Sequence, residues 1–379
     1  MTKVINVGLI GLGYIGKIHA IAYRDIPQCF GQPAVMPRLT AVLRSHLDTE
    51  REAMQAAGFE LATSDPDEFY AQPLDVVDVC TPNYLHLEHA RRALQSGLAV
   101  YCEKPLACTL QDARAMLNLA EANGALTQVA FMLRYVPAIR QMKALIAAGE
   151  IGDVLHFRAR LFHSSYLDFE RPMAWRLRRA QSGGGAFMDL GAHLVDLTHY
   201  LLGSVISVRA VMRTFICERC TVRGSAEREA VDVDDWMHCT LELASGAVGV
   251  LEVTRVAAGF ESATDFEVFG SKGSAAFHEQ EPNFAQVYDL RKRQWISGTL
   301  GLPPIPGERP IEQLWPNRKY SQGYFVNAHM AATYDFLLNV AEKKPSQVDF
   351  RAGVAAQEVI EAAYLSAAKG GERIELPLK

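Results

Sequence analysis

The chain has 379 residues, of which 49% are hydrophobic and 21% charged, so it is globular rather than disordered and long enough for two cores. Its formal net charge of -5 gives no broad basic surface for nucleic acid or an anionic membrane. No apolar run reaches the length needed to span a bilayer. The apolar N-terminus runs straight into a glycine turn without a cleavage-type small-residue pattern, so it reads as a first strand rather than a signal peptide.

Residues 1–131 alternate short apolar runs with amphipathic stretches. Ile5–Ile10, Leu39–Leu43, Val76–Cys80, Val100–Cys102 and Thr127–Phe131 read as buried strands, with helices over Leu85–Ser96 and Leu110–Asn123. This rhythm implies parallel βαβ units. The first strand leads into Gly11-Leu12-Gly13-Tyr14-Ile15-Gly16 and then a helix, the context in which a GxGxxG run signifies a dinucleotide site. Gly11 permits the tight turn, Gly13 lets backbone approach a pyrophosphate, and Gly16 lets helix pack on strand. Tyr14 and Ile15 lie between these glycines, at a helix N-terminus whose N–H groups are free for phosphate.

An apparent insertion, Gln28–Pro37, delays the second strand. At its end, where NAD enzymes usually place an acid for the ribose diol, stand Arg44 and Ser45. A guanidinium and a hydroxyl suit a 2′-phosphate better, so NAD or NADP is expected, with NADP favoured. An Arg44 stacked on adenine or facing solvent is the alternative.

Beyond residue 135 the strands lengthen and alternate with period two. Val154–Phe162, Ser207–Phe215, Trp236–Leu243, Ala247–Arg255 and Thr264–Phe269 are separated in part by turns such as Ala244-Ser245-Gly246 and Gly270-Ser271-Lys272-Gly273. They predict one large, mainly antiparallel sheet. Gly298–Gly323 reads as a long loop, and Val326–Glu342 and Gly353–Ala368 as helices. The fold class is therefore an α/β Rossmann domain with a parallel sheet, over 1–131, plus an α+β C-terminal domain with a large open sheet, over 132–379. The C-terminal helices are candidates to pack back on the Rossmann domain.

The seven cysteines are odd in number, and Cys80, Cys102 and Cys239 sit in apolar strands, as reduced thiols in a cytoplasmic protein would. Cys217 and Cys220 form a lone CxxC with no partner pair at zinc spacing, so no metal is expected.

Three further motifs follow in order: Thr81-Pro82-Asn83 with His86, then Glu103-Lys104-Pro105, then Asp189-Leu190-Gly191-Ala192-His193 continuing to Asp196. With the glycine turn, this set resembles the glucose–fructose oxidoreductase/inositol dehydrogenase (Gfo/Idh/MocA) family. Trp175-Arg176, Gly183-Gly184-Gly185 and Asp232-Val233-Asp234-Asp235 more loosely resemble its levoglucosan and sugar dehydrogenases. The resemblance places Thr81, Pro82, Asn83, His86 and Glu103 at the cofactor and Lys104 near nicotinamide and the reacting oxygen, with a cis Lys104–Pro105 bond.

The Phe187–Leu202 segment reads as one helix, with Leu190, Leu194, Leu197 and Leu201 on one face and Asp189, His193, Asp196 and Tyr200 on another. A carboxylate one turn before a histidine can orient the ring and stabilise its cation. The expected chemistry is oxidation of a secondary hydroxyl of a sugar or cyclitol (inositol, anhydrosugar, glycoside or aminosugar). His193 accepts the proton as hydride leaves, Lys104 stabilises the alkoxide, and Asp189 orients His193 or binds a neighbouring hydroxyl. Arg134, Tyr135, Tyr166, Trp175, Arg176 and Asp196 are substrate-rim candidates, along with Asp189 and His193. Met132 stands where many family members carry Asn, which departs from the pattern at that rim. The open sheet predicts a homodimer or homotetramer. A sugar redox enzyme that retains its cofactor and a non-catalytic nucleotide sensor are the competing functions.

Overall fold

A computed structural model describes residues 2–45, 54, 56–298 and 301–378. The chain divides into two compact units. One comprises Met1–Ala107, Gln111–Tyr135 and Gly307–Val354, the other Cys108–Leu110, Val136–Pro306 and Ala355–Lys379.

The first unit is built on six parallel strands in the order β3-β2-β1-β4-β5-β6. They are β1 (Lys3–Ile10), β2 (Val35–Leu43), β3 (Leu61–Thr63), β4 (Val76–Val79), β5 (Ala99–Cys102) and β6 (Thr127–Val129). The order reverses between β1 and β4, the point at which such sheets open a crevice beyond their carboxyl ends. Ile5, Val7 and Leu9 of β1, with Val76, Val77, Val79 and Val100, are essentially without solvent exposure, as a sheet covered on both faces requires. Helices α1 (Tyr14–Cys29), α2 (Pro66–Tyr70), α3 (His86–Gln95) and α4 (Leu110–Ala122) connect the strands.

Two features differ from the sequence reading. The delay before the second strand is shorter than Gln28–Pro37, because α1 runs to Cys29 and β2 begins at Val35. Pro37 lies inside β2 opposite Ile5, in the strand's half-buried first part. The second is β3, three residues long and too short to show a period. Helix α7 (Tyr324–Glu342) belongs to this unit and packs against α1.

The second unit carries a nine-stranded sheet in the order β16-β15-β14-β13-β7-β12-β11-β8-β17, in which the outer strands are β15 (Gln286–Asp289), β16 (Gln294–Ser297) and β17 (Ile374–Glu375). Its centre is β7 (Val154–Phe162), β8 (Val205–Arg213), β11 (Trp236–Leu243), β12 (Val248–Thr254), β13 (Ala263–Gly270) and β14 (Gly273–His278). Only β7 and β12 pair in parallel; the remaining neighbours are antiparallel. On β11 the side chains of Met237, Cys239, Leu241 and Leu243 are buried, while Trp236, His238, Thr240 and Glu242 are half-buried on the opposite face. That second face is polar: Arg160 pairs with Asp265 at 2.6 Å, Arg158 with Glu267, and the Trp236 indole donates to Glu252 at 2.8 Å.

The buried face is covered in part by α5 (Pro137–Ala147) and α6 (Ala192–Leu202), and α8 (Phe350–Ala368) closes the chain's helical part. Residues 301–323 carry only two single turns, Ile311–Gln313 and Arg318–Tyr320. All seven cysteines are free thiols.

Candidate active site

The glycine turn has the form a dinucleotide needs. Gly11 adopts φ +92°, and a side chain on Gly16 would collide with the Gly11 carbonyl, so helix and turn approach as closely as glycine allows. A Cβ on Gly13 would meet nothing within 4 Å among the described residues, which leaves that backbone open to a pyrophosphate. Among the described residues no side chain caps the N-terminus of α1. Its first-turn N–H groups are thus left for an anion, and Tyr14 beside them is exposed.

Across the switch point, Thr81, Pro82 and Asn83 follow β4. The Thr81 hydroxyl is buried without a hydrogen-bond partner among the described residues, an orphan that a bound ribose or amide would satisfy. Arg44, half-buried, and Ser45, exposed, follow β2, with the Arg44 backbone bonded to the Thr63 carbonyl at 3.0 Å. The residues present therefore fit NAD or NADP.

Four sequence-assigned residues, His86, Glu103, Tyr135 and Arg134, bond within the protein itself. His86 is fully buried, with Nε2 2.9 Å from the Thr81 carbonyl and Nδ1 3.1 and 3.2 Å from those of Pro105 and Leu106. It staples the Thr81 loop to the Lys104–Leu106 loop, and burial lowers its pKa. Glu103 is also buried, and its carboxylate faces inward, to His19 and to the backbone N–H of Lys104. Tyr135 is a core side chain at 1% exposure, its hydroxyl donating to Asp335 at 3.0 Å and accepting from Gln128 at 3.2 Å. Arg134 is buried in the same unit and donates to the Gln347 carbonyl. Lys104 itself is half-buried at the end of β5, and Lys104–Pro105 is cis.

In the second unit, Asp189 and His193 do not lie on one uniform helix. Phe187–Gly191 forms a π-helical turn, which then tightens into α6. The wider turn changes the angular step between Asp189 and His193, a departure that α-helical spacing cannot reveal.

Its N-terminal end is anchored by a buried carboxylate. Asp234 accepts the Gly185 N–H at Oδ1 (2.8 Å) and the Phe187 N–H at Oδ2 (2.9 Å). The Tyr364 hydroxyl donates to Asp234 at 2.7 Å and accepts from Gly185 and Met188 at 3.0 and 3.2 Å. This explains the glycine run: a side chain on Gly184 would collide with the Tyr364 ring, and one on Gly185 with the Asp234 backbone. Burial, then the Asp234 carboxylate, pushes the Tyr364 phenol well up, so it remains a donor. Asp235 and Asp232 likewise accept backbone N–H groups, of Phe215 and Ile216 and of Arg179.

Asp189, partly exposed, is paired with Arg255 at 3.2 Å. Arg255 has 2% exposure, also donates to the Arg176 carbonyl at 3.4 Å, and lies 4.8 Å from the Tyr166 ring centroid. Sequence reasoning missed Arg255 because a single arginine ending a strand has no periodic signal. Tyr166 is buried with Leu177, Val231 and Val233 and also packs against Arg171, which makes it core rather than rim. Trp175 and Arg176 are half-buried and stacked on each other at 4.3 Å; His193 and Asp196 are buried on α6.

Residues 5–131 match the model of the oxidoreductase family with an NAD-binding Rossmann fold, and residues 139–276 match a GFO/IDH/MocA C-terminal domain. Levoglucosan dehydrogenase of Pseudarthrobacter phenanthrenivorans is 33% identical over 377 residues, 96% of each chain. Inositol 2-dehydrogenase of Rhizobium meliloti is 30% identical over 73% of this chain and 77% of its own. A solved levoglucosan dehydrogenase in complex with NADH and levoglucosan superposes with a TM-score of 0.90 at 32% identity, covering 99% of this chain and 100% of that one.

Proposed function

The chain is an NAD-dependent dehydrogenase of the GFO/IDH/MocA family, and we propose that it oxidises a secondary hydroxyl of a sugar or cyclitol, with a pyranose or anhydrosugar as the substrate class. The observation that carries this is similarity along essentially the whole length to a levoglucosan dehydrogenase, in a chain that also holds Lys104, Asp189 and His193. NAD, when bound, supplies the acceptor for the hydride leaving the carbinol carbon.

The chain's own residues handle the proton and the charge. His193 takes the hydroxyl proton at an imidazole nitrogen. Lys104 Nζ stabilises the developing alkoxide. Asp189, held by Arg255, orients His193 or accepts a hydrogen bond from a neighbouring hydroxyl. Trp175 offers an apolar ring face to a pyranose and Arg176 donates to its hydroxyls. Arg44 and Ser45 extend the reading to NADP, because neither repels a 2′-phosphate as an acid would.

The sheet's outer face, with Val211 and Val248 exposed beside its ion pairs, is proposed as the contact of a homodimer or homotetramer. Light scattering at micromolar concentration reads this directly, and a monomer refutes it.

The functional test is reduction of NAD and NADP at 340 nm across a panel of inositols, aldoses, anhydrosugars and glycosides. Turnover with a cyclic polyol is expected, together with a loss of about 100-fold or more in Lys104→Ala and His193→Ala while dinucleotide still binds. Full activity in His193→Ala refutes its role as base.

A further inference from the structure

Beneath the nucleotide edge lies a buried polar cluster that the reaction itself does not use. His19, on α1 three residues past Gly16, is fully buried. Its Nδ1 is 2.9 Å from Oδ2 of Asp78 on β4, and its Nε2 is 3.1 Å from Oε1 of Glu103, just beyond β5. The other oxygen of Glu103 accepts the backbone N–H of Lys104 at 3.1 Å. One imidazole thus connects the helix that follows the glycine turn to two strands of the sheet, and through Glu103 to the residue assigned to the alkoxide.

We propose that His19 is a positioning residue for Lys104: a buried imidazolium that bridges Asp78 and Glu103 and so fixes the backbone from which the Lys104 side chain departs. The proposal rests on the role given to Lys104 above. Its physical basis is charge. Only Nδ1 is hydrogen-bonded, to Asp78; Nε2 and Oε1 of Glu103 stand 3.1 Å apart without a hydrogen bond among the described residues, so this second contact draws on the charge of an imidazolium facing an ionised carboxylate. Without the cation, Asp78 and Glu103 would be two anions enclosed without solvent, an arrangement that burial penalises heavily.

The groups facing His19 are Tyr23 of its own helix, Asp78 and Cys80 at the end of β4, Tyr101 and Glu103 at the end of β5, and His329 of α7. The Cys80 thiol lies 3.2 Å from Nδ1 and donates to Asp78 Oδ1 at 3.3 Å. Burial opposes the cation, but the Asp78 carboxylate at 2.9 Å outweighs it and holds the His19 pKa above its ordinary value; the Cys80 thiol, itself pushed up by burial, stays protonated.

The experiment has two arms on the full chain with NAD bound. In the first, ring-15N-histidine spectra are recorded from pH 6 to 9, the His19 signal being the one lost in His19→Gln. It should stay doubly protonated across this range; a ring neutral at pH 8, or a stoichiometric metal ion released from these residues by chelator, overturns the proposal.

In the second, His19→Gln should lower kcat about tenfold or more, with KM for NAD changed less than about threefold, because a misplaced catalytic group costs rate rather than binding. In a Lys104→Met background the same substitution should cost nothing further; additive losses overturn the proposal, since a merely structural role adds. Glu103→Gln, which keeps an acceptor for the Lys104 N–H, carries the same cycle should His19→Gln fail to fold. A wild type that oxidises no sugar counts against the sugar reading alone, and the spectra then decide the proposal.

Discussion

Tyr364→Phe tests whether the helix bearing Asp189 and His193 is anchored as described. The substitution keeps the ring, which packs edge-on against Phe187 at 6.4 Å, and removes only the hydroxyl. That hydroxyl donates to Asp234 at 2.7 Å and accepts from Met188 at 3.2 Å. Gly185 retains Asp234 as a partner at 2.8 Å, so its N–H is not orphaned. Loss of a hydrogen bond to a buried carboxylate costs about 1.5–3 kcal/mol, and a stranded Met188 N–H adds about 1 kcal/mol. The expected destabilisation is about 3 kcal/mol. At about 2–4 °C per kcal/mol for a unit of this size, Tm should fall by roughly 6–12 °C in differential scanning calorimetry. Dinucleotide affinity, measured by quenching of protein fluorescence, should not change, because Tyr364 belongs to the other unit. A fall of less than about 1 °C would show that the hydroxyl holds nothing, and the account of Gly184 and Gly185 would fail with it.

Gly16→Ala should abolish measurable NAD binding or raise its dissociation constant about tenfold or more, since the new methyl collides with the Gly11 carbonyl and displaces α1 from the turn. Isothermal titration checks this, and wild-type affinity would refute the geometry. The raised His19 pKa carries a signed consequence for stability. In the window above its unfolded value of about 6.5, the folded state holds a proton the unfolded state has released, so His19's contribution is full below that pH and declines as pH rises. Urea unfolding of wild type against His19→Gln should show a stability difference shrinking by about 1.4 kcal/mol per unit from pH 7 upward; a difference independent of pH contradicts it. Arg44→Asp should reduce kcat/KM for NADP about tenfold or more and leave NAD largely unaffected, and an equal effect on both would mean that Arg44 does not face the ribose.

The elements legible in the sequence are those whose own residues repeat a period. β1 with its glycine turn, the alternation on β11, and α7 and α8 fall where the apolar pattern places them, within a few residues. β3 is too short for a period, and Pro37 misdirected the start of β2, because a proline in a strand reads as a boundary although its ring sits in the sheet opposite Ile5. The π-helical turn at Phe187–Gly191 is invisible for a related reason. The partners of its first N–H groups are Asp234 and Tyr364, 47 and 176 or more positions away, which no local pattern can reveal.

The same distinction separates the site residues. Gly11, Gly13 and Gly16 could be assigned from sequence because their requirement is local backbone geometry, which a run of six residues expresses in full. Glu103 and His86 carry the same kind of motif signal as Lys104, yet their side chains turn inward, to His19 and to backbone carbonyls. A motif therefore marks a segment that must be held in place, and it does not separate the residue that reacts from the residues that hold it. Lys104 is half-buried, while His86 is fully buried against backbone carbonyls and Glu103 is buried with one oxygen on the Lys104 N–H. Arg255 inverts the case. It has no motif, but a guanidinium at 2% exposure must be compensated by charge, and the Asp189 carboxylate beside it is the partner that buried charge demands. Arg255, without a sequence signal, thus holds Asp189, which has one, while Asp234, in a stretch that the sequence does mark, holds the backbone of Gly185 and Phe187.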